Sequence, residues 1–191
     1  MPPKVEVTRD KILDAAFSLV REQGQEVLTA RNIAKGLNCS TQPIYSAYEN
    51  MDALKDELYD YALDYTVAVI NAYEDSRNPN AINLINGILL LARNEKHLFR
   101  LVFLTEQKNY FLKDGTNKLK SVLFAAFLQS DTRLAKLEQA KLERIFLKLS
   151  IYVTGIGTMI NINTLKLDFV ETKQLVIEMF EHLLASENIQ I

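Results

Sequence analysis

Little in this chain breaks a helix. Glycine occurs six times and proline four times in 191 residues, and two of the prolines, Pro2 and Pro3, stand at the very start. Long helices are therefore expected and tight β-turns are not. Runs of alternating Val, Ile and Thr are also missing, which argues against a sheet. The single cysteine, Cys39, excludes an intrachain disulfide and fits a reducing, cytoplasmic compartment. The opening MPPKVEVTRDK has no apolar core of a signal peptide. The longest charge-free run, Leu149 to Leu165, is seventeen residues. It carries Ser150, Thr154, Gly155, Gly157, Asn161 and Asn163, so it reads as a buried helix at a protein interface and not as a membrane span. The two histidines, His97 and His182, lie far apart and outside any HExxH-type spacing, and His182 suits a helix C-terminus. No nucleophile elbow or glycine-rich phosphate loop occurs. The chain is thus not expected to be an enzyme, and neither a metal nor a cofactor is called for.

What remains is an ordinary globular composition, 48% apolar and 24% charged, long enough for one domain plus a small second one. Net charge is −2, so bulk charge does not announce a partner. Its distribution is more telling. From Thr29 to Tyr48 the chain holds Arg31 and Lys35 and no acid, a modest anion-facing window in an otherwise acidic protein.

Helix punctuation is dense in the first fifty residues. Thr8 is placed to cap a first helix, with Ile12, Ala15, Ala16, Leu19 and Val20 on one apolar stripe and Gly24 as the stop. Thr29 is placed to cap a second, short helix whose inner face is Ile33, Ala34 and Leu37. Asn38 follows and tolerates positive φ. Ser40 is placed to cap a third helix with Pro43 as its third residue. Asn50 opens a long fourth helix with Leu54, Leu58, Tyr61, Ala62, Tyr65 and Val69 on its stripe. Beyond the break at Arg77-Asn78-Pro79-Asn80, the pattern predicts helices near 80–94, 96–108, 117–129, 132–160 and 168–186. The fold class is all-α: an N-terminal three-helix unit, residues 1–50, and a larger helical domain, residues 51–191, with about nine helices together.

The segment TARNIAKGL and the segment STQPIYSAY, joined at Asn38-Cys39, have helix-turn-helix spacing over about 29–48. Cys39 is expected to turn inward. Thr41, Gln42 and Tyr45 are expected to face outward at the start of the third helix, where short neutral hydrogen-bonding groups can read base edges and an acid would be repelled by phosphate.

These residues resemble the TetR family of transcriptional regulators. The resemblance rests on Ile12, Ala15, Ala16, Gly24, Thr29, Arg31, Ile33, Ala34, Ser40, Tyr45, Tyr48, Asn50 and Leu54 and covers about residues 8–60. It implies a homodimer on double-stranded DNA with a palindromic operator, and a small-molecule effector bound in the C-terminal domain. Carried onto this sequence, it implies that Thr29 caps the second helix and touches phosphate, and that Arg31 meets a base or phosphate. Thr41, Gln42 and Pro43 would face bases, and Tyr45 would use its hydroxyl or ring on the DNA. Tyr48 would be core with its hydroxyl reaching outward, and the N–H groups after Asn50 would hold a phosphate. Three positions depart from that pattern. Asn38 stands for the customary turn glycine, Ala47 for a phosphate-contacting histidine and Met51 for a lysine. Losing two phosphate contacts per subunit weakens affinity and flattens its salt dependence.

The C-terminal aromatics suggest an apolar pocket, lined by some of Tyr65, Phe99, Phe103, Phe124 and Tyr152. The helices around Ser150 to Ile162 and Phe169 to Leu184 suggest half of a four-helix dimer interface, with Gly155, Gly157, Phe169, Val176 and Phe180 at the contact. The expected function is a ligand-responsive DNA-binding regulator, a repressor released from its operator by an apolar or aromatic effector. The rival is an all-α module whose helix-turn-helix binds a protein, a reading that Met51 favours.

Overall fold

A computed structural model describes residues 7–78, 80–105 and 118–187. Among the described residues there are nine α-helices and no strand. They are α1 (Arg9–Gln23), α2 (Ala30–Gly36), α3 (Gln42–Ala47), α4 (Met51–Asn71), α5 (Asn80–Asn94), α6 (Lys96–Phe99), α7 (Lys118–Ser130), α8 (Gln139–Asn161) and α9 (Phe169–Ser186). The chain forms two compact units, one of Met1–Thr66 with Glu95–Glu106, the other of Val67–Asn94 with Gln107–Ile191.

In the first unit, α1 is capped by Thr8, whose hydroxyl accepts the Lys11 N–H at 3.4 Å. It ends at Gly24, where φ is +92°. A side chain there would also stand within 2.5 Å of a Glu26 carboxylate oxygen and 3.0 Å of His97 Nδ1. The α1 face of Ile12, Ala16 and Val20 is fully buried and packs on α2, α3 and α6. Thr29 caps α2 through the Asn32 N–H at 3.2 Å. The exit from α2 is a Schellman turn. Asn38 takes φ +51°, its N–H reaches the Lys35 carbonyl at 3.2 Å, and the Cys39 N–H reaches Ala34 at 3.0 Å. Asn38 thus does the work of the absent glycine. Cys39, expected inward, is only half-buried.

The third helix begins later than expected. Its ladder starts from the Thr41 carbonyl, which accepts from Ile44 at 3.2 Å and Tyr45 at 3.3 Å. Ser40 does not cap it, because the turn closing α2 ends at Cys39 and leaves Ser40 in the link. Pro43 falls within the first two positions, where no intrahelical acceptor is lost. Asn50 caps α4, its side-chain oxygen accepting the Ala53 N–H at 2.9 Å. Glu95–Glu106 contributes α6, which passes into a π-helical turn, Arg100–Leu104, so the expected helix 96–108 is shorter and wider; 106–108 lie outside the described residues. Here Arg21 pairs with Glu95, Gln25 donates to the Thr105 hydroxyl at 3.3 Å, and Leu98 and Phe99 are fully buried.

In the second unit α5 is the central helix and packs on α7, α8 and α9. Its buried positions run nearly all round, from Ala81 and Ile82 to Leu91 and Ala92, as a helix surrounded on several sides requires. Phe124 and Phe127 of α7 cluster with Phe146 of α8, the Phe124 and Phe146 rings edge-on at 5.0 Å. The expected helix 132–160 is split. Asp131 accepts the Arg133 N–H at 2.8 Å, a local bond that competes with helix. A single 3₁₀ turn, Leu134–Lys136, follows before α8 starts at Gln139. Asn163, at φ +57°, ends α8 in a second Schellman turn, with the Thr164 N–H on the Met159 carbonyl at 2.9 Å. Asp168 and Glu171 form a reciprocal capping box at the start of α9.

Candidate nucleic-acid interface

The two short helices present one continuous neutral-to-basic surface. Thr29, Arg31, Lys35, Asn38, Ser40, Thr41, Gln42, Tyr45 and Ser46 are all exposed, and no carboxylate occurs between Thr29 and Tyr48. Tyr45 is the most conspicuous member, a large ring left 55% exposed. Ile44, on the opposite face of α3, is buried. This one turn and a half of helix is therefore anchored by Ile44 and displays Gln42 and Tyr45 to solvent. Pro43 lies half-buried between them. Arg31 projects from the first turn of α2, and Asn50 is exposed at the head of α4. Lys55, one turn further on, is paired with Asp52 at 2.9 Å.

Tyr48 is placed differently from the other expected contacts. It is 2% exposed, and its hydroxyl is buried without a hydrogen-bond partner among the described residues instead of reaching outward. Burial, with the nearby Glu57 carboxylate, pushes its pKa up to about 12. The Arg9 guanidinium lies 4.2 Å above its ring centre, at cation–π distance. Tyr48 is therefore a supporting residue beneath the interface. Arg9 was not legible as part of this assembly, since nothing in the spacing of α1 brings it to the end of α3.

The five expected pocket residues divide between the units. In the first, Phe99 is fully buried and stacks on the half-buried Phe103 at 5.0 Å. Tyr65 is half-buried, edge-on to Phe17 at 5.0 Å with Arg21 over its ring. In the second, Phe124 belongs to the α7–α8 aromatic cluster and Tyr152 is half-buried on α8. A cavity of 390 Å³ in the second unit is lined by other groups, chiefly Asn71, Tyr73, Glu74, Asn80, Asn83 and Gln129. Asn83 is already committed there. It accepts from the Asp75 N–H and donates to the Asp75 carbonyl, at 3.3 and 3.1 Å.

One residue that the sequence reading missed stands out. Asn86, on α5, is fully buried, and neither its amide nitrogen nor its oxygen has a partner among the described residues. Orphaned buried polar groups are rare because each costs on the order of 1–3 kcal/mol. The sequence signal was an asparagine three residues after Asn83 inside an otherwise apolar helix.

Of the five expected interface residues, Val176 and Phe180 are buried in the core of their own unit, Gly157 is buried, Phe169 is half-buried and Gly155 is exposed. The exposed apolar side chains of α8 lie at Leu147, Ile151 and Met159, with Ile162 just past its end. Leu147, Ile151, Gly155 and Met159 make a stripe at four-residue spacing. No helix among the described residues is long and apolar enough to cross a membrane.

No protein-family model matches the chain, and no curated protein does. Solved structures do, at low identity. A TetR-like transcriptional regulator from Rhodococcus sp. RHA1 superposes with a TM-score of 0.63 at 15% identity, over 94% of this chain and 99% of that one. A TetR variant from Acinetobacter baumannii AYE in complex with minocycline gives 0.57 at 15%, over 96% and 98%. BioQ with its double-stranded DNA operator gives 0.55 at 15%, over 92% and 98%. The fold of this chain is that of TetR-family regulators, along nearly its whole length.

Proposed function

We propose that this protein is a cytoplasmic, ligand-responsive DNA-binding transcriptional regulator that acts as a repressor. The reading rests on one observation above all. The exposed surface of α2 and α3 carries Arg31, Lys35, Gln42 and Tyr45 and no acid. Such a surface is suited to base edges flanked by phosphates. The shared fold supports it, as do the operator bound to BioQ and the minocycline bound to the TetR variant.

In this reading residues 1–50 bind DNA and residues 51–191 bind the effector and form a homodimer. Each subunit places α3 in a major groove, with half-sites of a palindrome about 34–36 Å apart. Thr41, Gln42 and Tyr45 meet bases; Thr29, Arg31, Ser40 and the head of α4 at Asn50 serve the backbone. Pro43 offers apolar surface to a thymine methyl. The effector is held within the second unit, by Asn86 together with aromatic groups such as Phe124 and Tyr152. Its binding tilts α4, alters the separation of the two reading heads and lowers affinity by an amount typical of such coupling, about 1–3 kcal/mol. Apolar partner contact runs along the exposed α8 stripe.

The experiment is DNA binding by Arg31→Ala and Tyr45→Ala against the parent, on the DNA flanking its own coding region. Loss in both is expected; unchanged binding in both removes this surface from the reading. A salt titration on random duplex separates the protein-interaction alternative, which predicts no steep fall of affinity with salt.

A further inference from the structure

A helix of six residues does not hold its own orientation. α3 has no side-chain cap at its start, and isolated helices of this length are unstable in water. Its aim must come from what grips it. Ile44 anchors its middle from below. Its end is gripped by Arg9, the first residue of α1. The Arg9 guanidinium donates to the Ala47 carbonyl at 2.8 Å, one of the terminal carbonyls that the helix itself leaves without a partner. The same group donates to Glu57 of α4, with Nε at 3.0 Å from the carboxylate and Nη2 also bonded to it. Its flat face covers Tyr48, the residue that ends α3. One side chain therefore joins the start of α1, the end of α3 and the second turn of α4. Arginine alone has the planar fork to do all three at once.

We infer that Arg9 is a positioning residue for DNA recognition: through Ala47, Tyr48 and Glu57 it fixes α3 to α4, so that the reading helix follows α4. The inference rests on the DNA-binding reading above. It assigns Arg9 no contact with DNA, although half of its side chain is exposed. It also gives α4 a handle on α3 through Arg9, the Glu57 carboxylate, so that the geometry of the reading head changes when α4 shifts.

The test compares the parent with Arg9→Ala, Arg9→Lys and Glu57→Gln on two probes: a duplex that the parent selects from a random-sequence pool, and unselected random duplex. Thermal midpoints and hydrogen exchange of the α3 and α5 amides are read alongside. Arg9→Ala is expected to lower affinity for the selected duplex roughly three- to thirtyfold, the range of mutations that act through a neighbour. Random-duplex affinity should change little, and the slope of log affinity against log salt should stay as in the parent. Exchange should quicken in α3 and not in α5. Arg9→Lys, which keeps the charge but not the fork or the stacking, should recover only part of the loss, and Glu57→Gln should cost less than Arg9→Ala. A fall on both duplexes with the salt slope reduced by about one charge would make Arg9 a phosphate contact and overturn the inference. Unchanged affinity, or a loss that merely tracks unfolding of the first unit in both Arg9 variants, overturns it too. If the parent selects no duplex, the function reading itself fails, whereas failure of this inference alone leaves parental binding intact.

Discussion

A methyl group on Gly87 would stand 2.3 Å from the carbonyl oxygen of Ile70. The last turn of α4 and the middle of α5 therefore approach so closely that only a residue without a side chain fits. Gly87→Ala must push backbone against backbone, and overpacking of this kind costs about 1–3 kcal/mol. Gly36, at the end of α2, is the internal control, because among the described residues nothing beyond its own helix backbone and chain neighbours lies within 4 Å of a methyl group there. Gly36→Ala should be neutral or stabilise by about 0.4–1 kcal/mol. The denaturant midpoint should fall for Gly87→Ala and hold or rise for Gly36→Ala. A Gly87→Ala protein as stable as its parent would mean that α4 and α5 do not meet at this point.

Much of the first unit was legible because its signals are local. Thr8, Thr29 and Asn50 cap helices as their types and positions predict, and Asn38 takes the positive φ that its turn demands. The misplaced start of α3 has the same local origin, since Ser40 and Thr41 are both good caps and only the closing of the previous turn at Cys39 decides between them. What the sequence left open is non-local. Helical periodicity shows that Val176 and Phe180 share a face, but not whether that face meets a partner or its own unit; both are buried at home. Arg9 and Asn86 were silent for the same reason, because a side chain's partners, or their absence, come from other parts of the chain.

Asn86 provides a test that requires no ligand. A fully buried amide without partners lowers stability, and an apolar residue of similar shape removes that cost. Asn86→Leu should raise unfolding free energy by about 1–3 kcal/mol, with a higher thermal midpoint. On the proposed repressor reading, the variant should hold a reporter repressed in cells under conditions that release the parent. A destabilised Asn86→Leu would show that the amide is satisfied in solution and that its role is structural.

The exposed stripe on α8 makes a separate prediction about assembly. Ile151 is 65% and Leu147 60% exposed, so neither holds its own unit together. Ile151→Glu should leave thermal unfolding of the chain nearly unchanged at low concentration. It should weaken self-association by about 2 kcal/mol or more, as for a buried interface anchor. Gly155→Ala sharpens the test. Among the described residues, nothing beyond its own helix backbone and chain neighbours lies within 4 Å of a methyl group at Gly155, so helix propensity alone would favour alanine by about 1 kcal/mol. A partner helix seated over the glycine would oppose that gain. Sedimentation across a concentration series decides; an Ile151→Glu protein that associates like its parent removes the stripe as the interface.

The turn between α7 and α8 predicts a pH dependence. Arg133 donates to Asp131 with Nη2 at 2.8 Å and to Glu181 of α9 with Nη1 at 2.8 Å, and its guanidinium lies 5.7 Å from the centre of the Phe180 ring. Burial pushes the Asp131 carboxyl upward, but the hydrogen bonds and charge of Arg133 outweigh it and hold the group below its ordinary value. A carboxylate depressed in the folded state stabilises fully above its unfolded value, about 3.9, and loses that contribution as pH falls through the folded value. Arg133→Met should therefore cost roughly 1.5–3 kcal/mol near neutral pH, the worth of hydrogen bonds to charged groups. The gap between parent and variant should narrow below about pH 4, where Asp131 becomes protonated and its bond to Arg133 loses its charge. Urea unfolding from pH 7 downward reads this directly. A gap that stays constant across that range would mean that Arg133 stabilises the turn by packing on Phe180, with no contribution from the Asp131 charge.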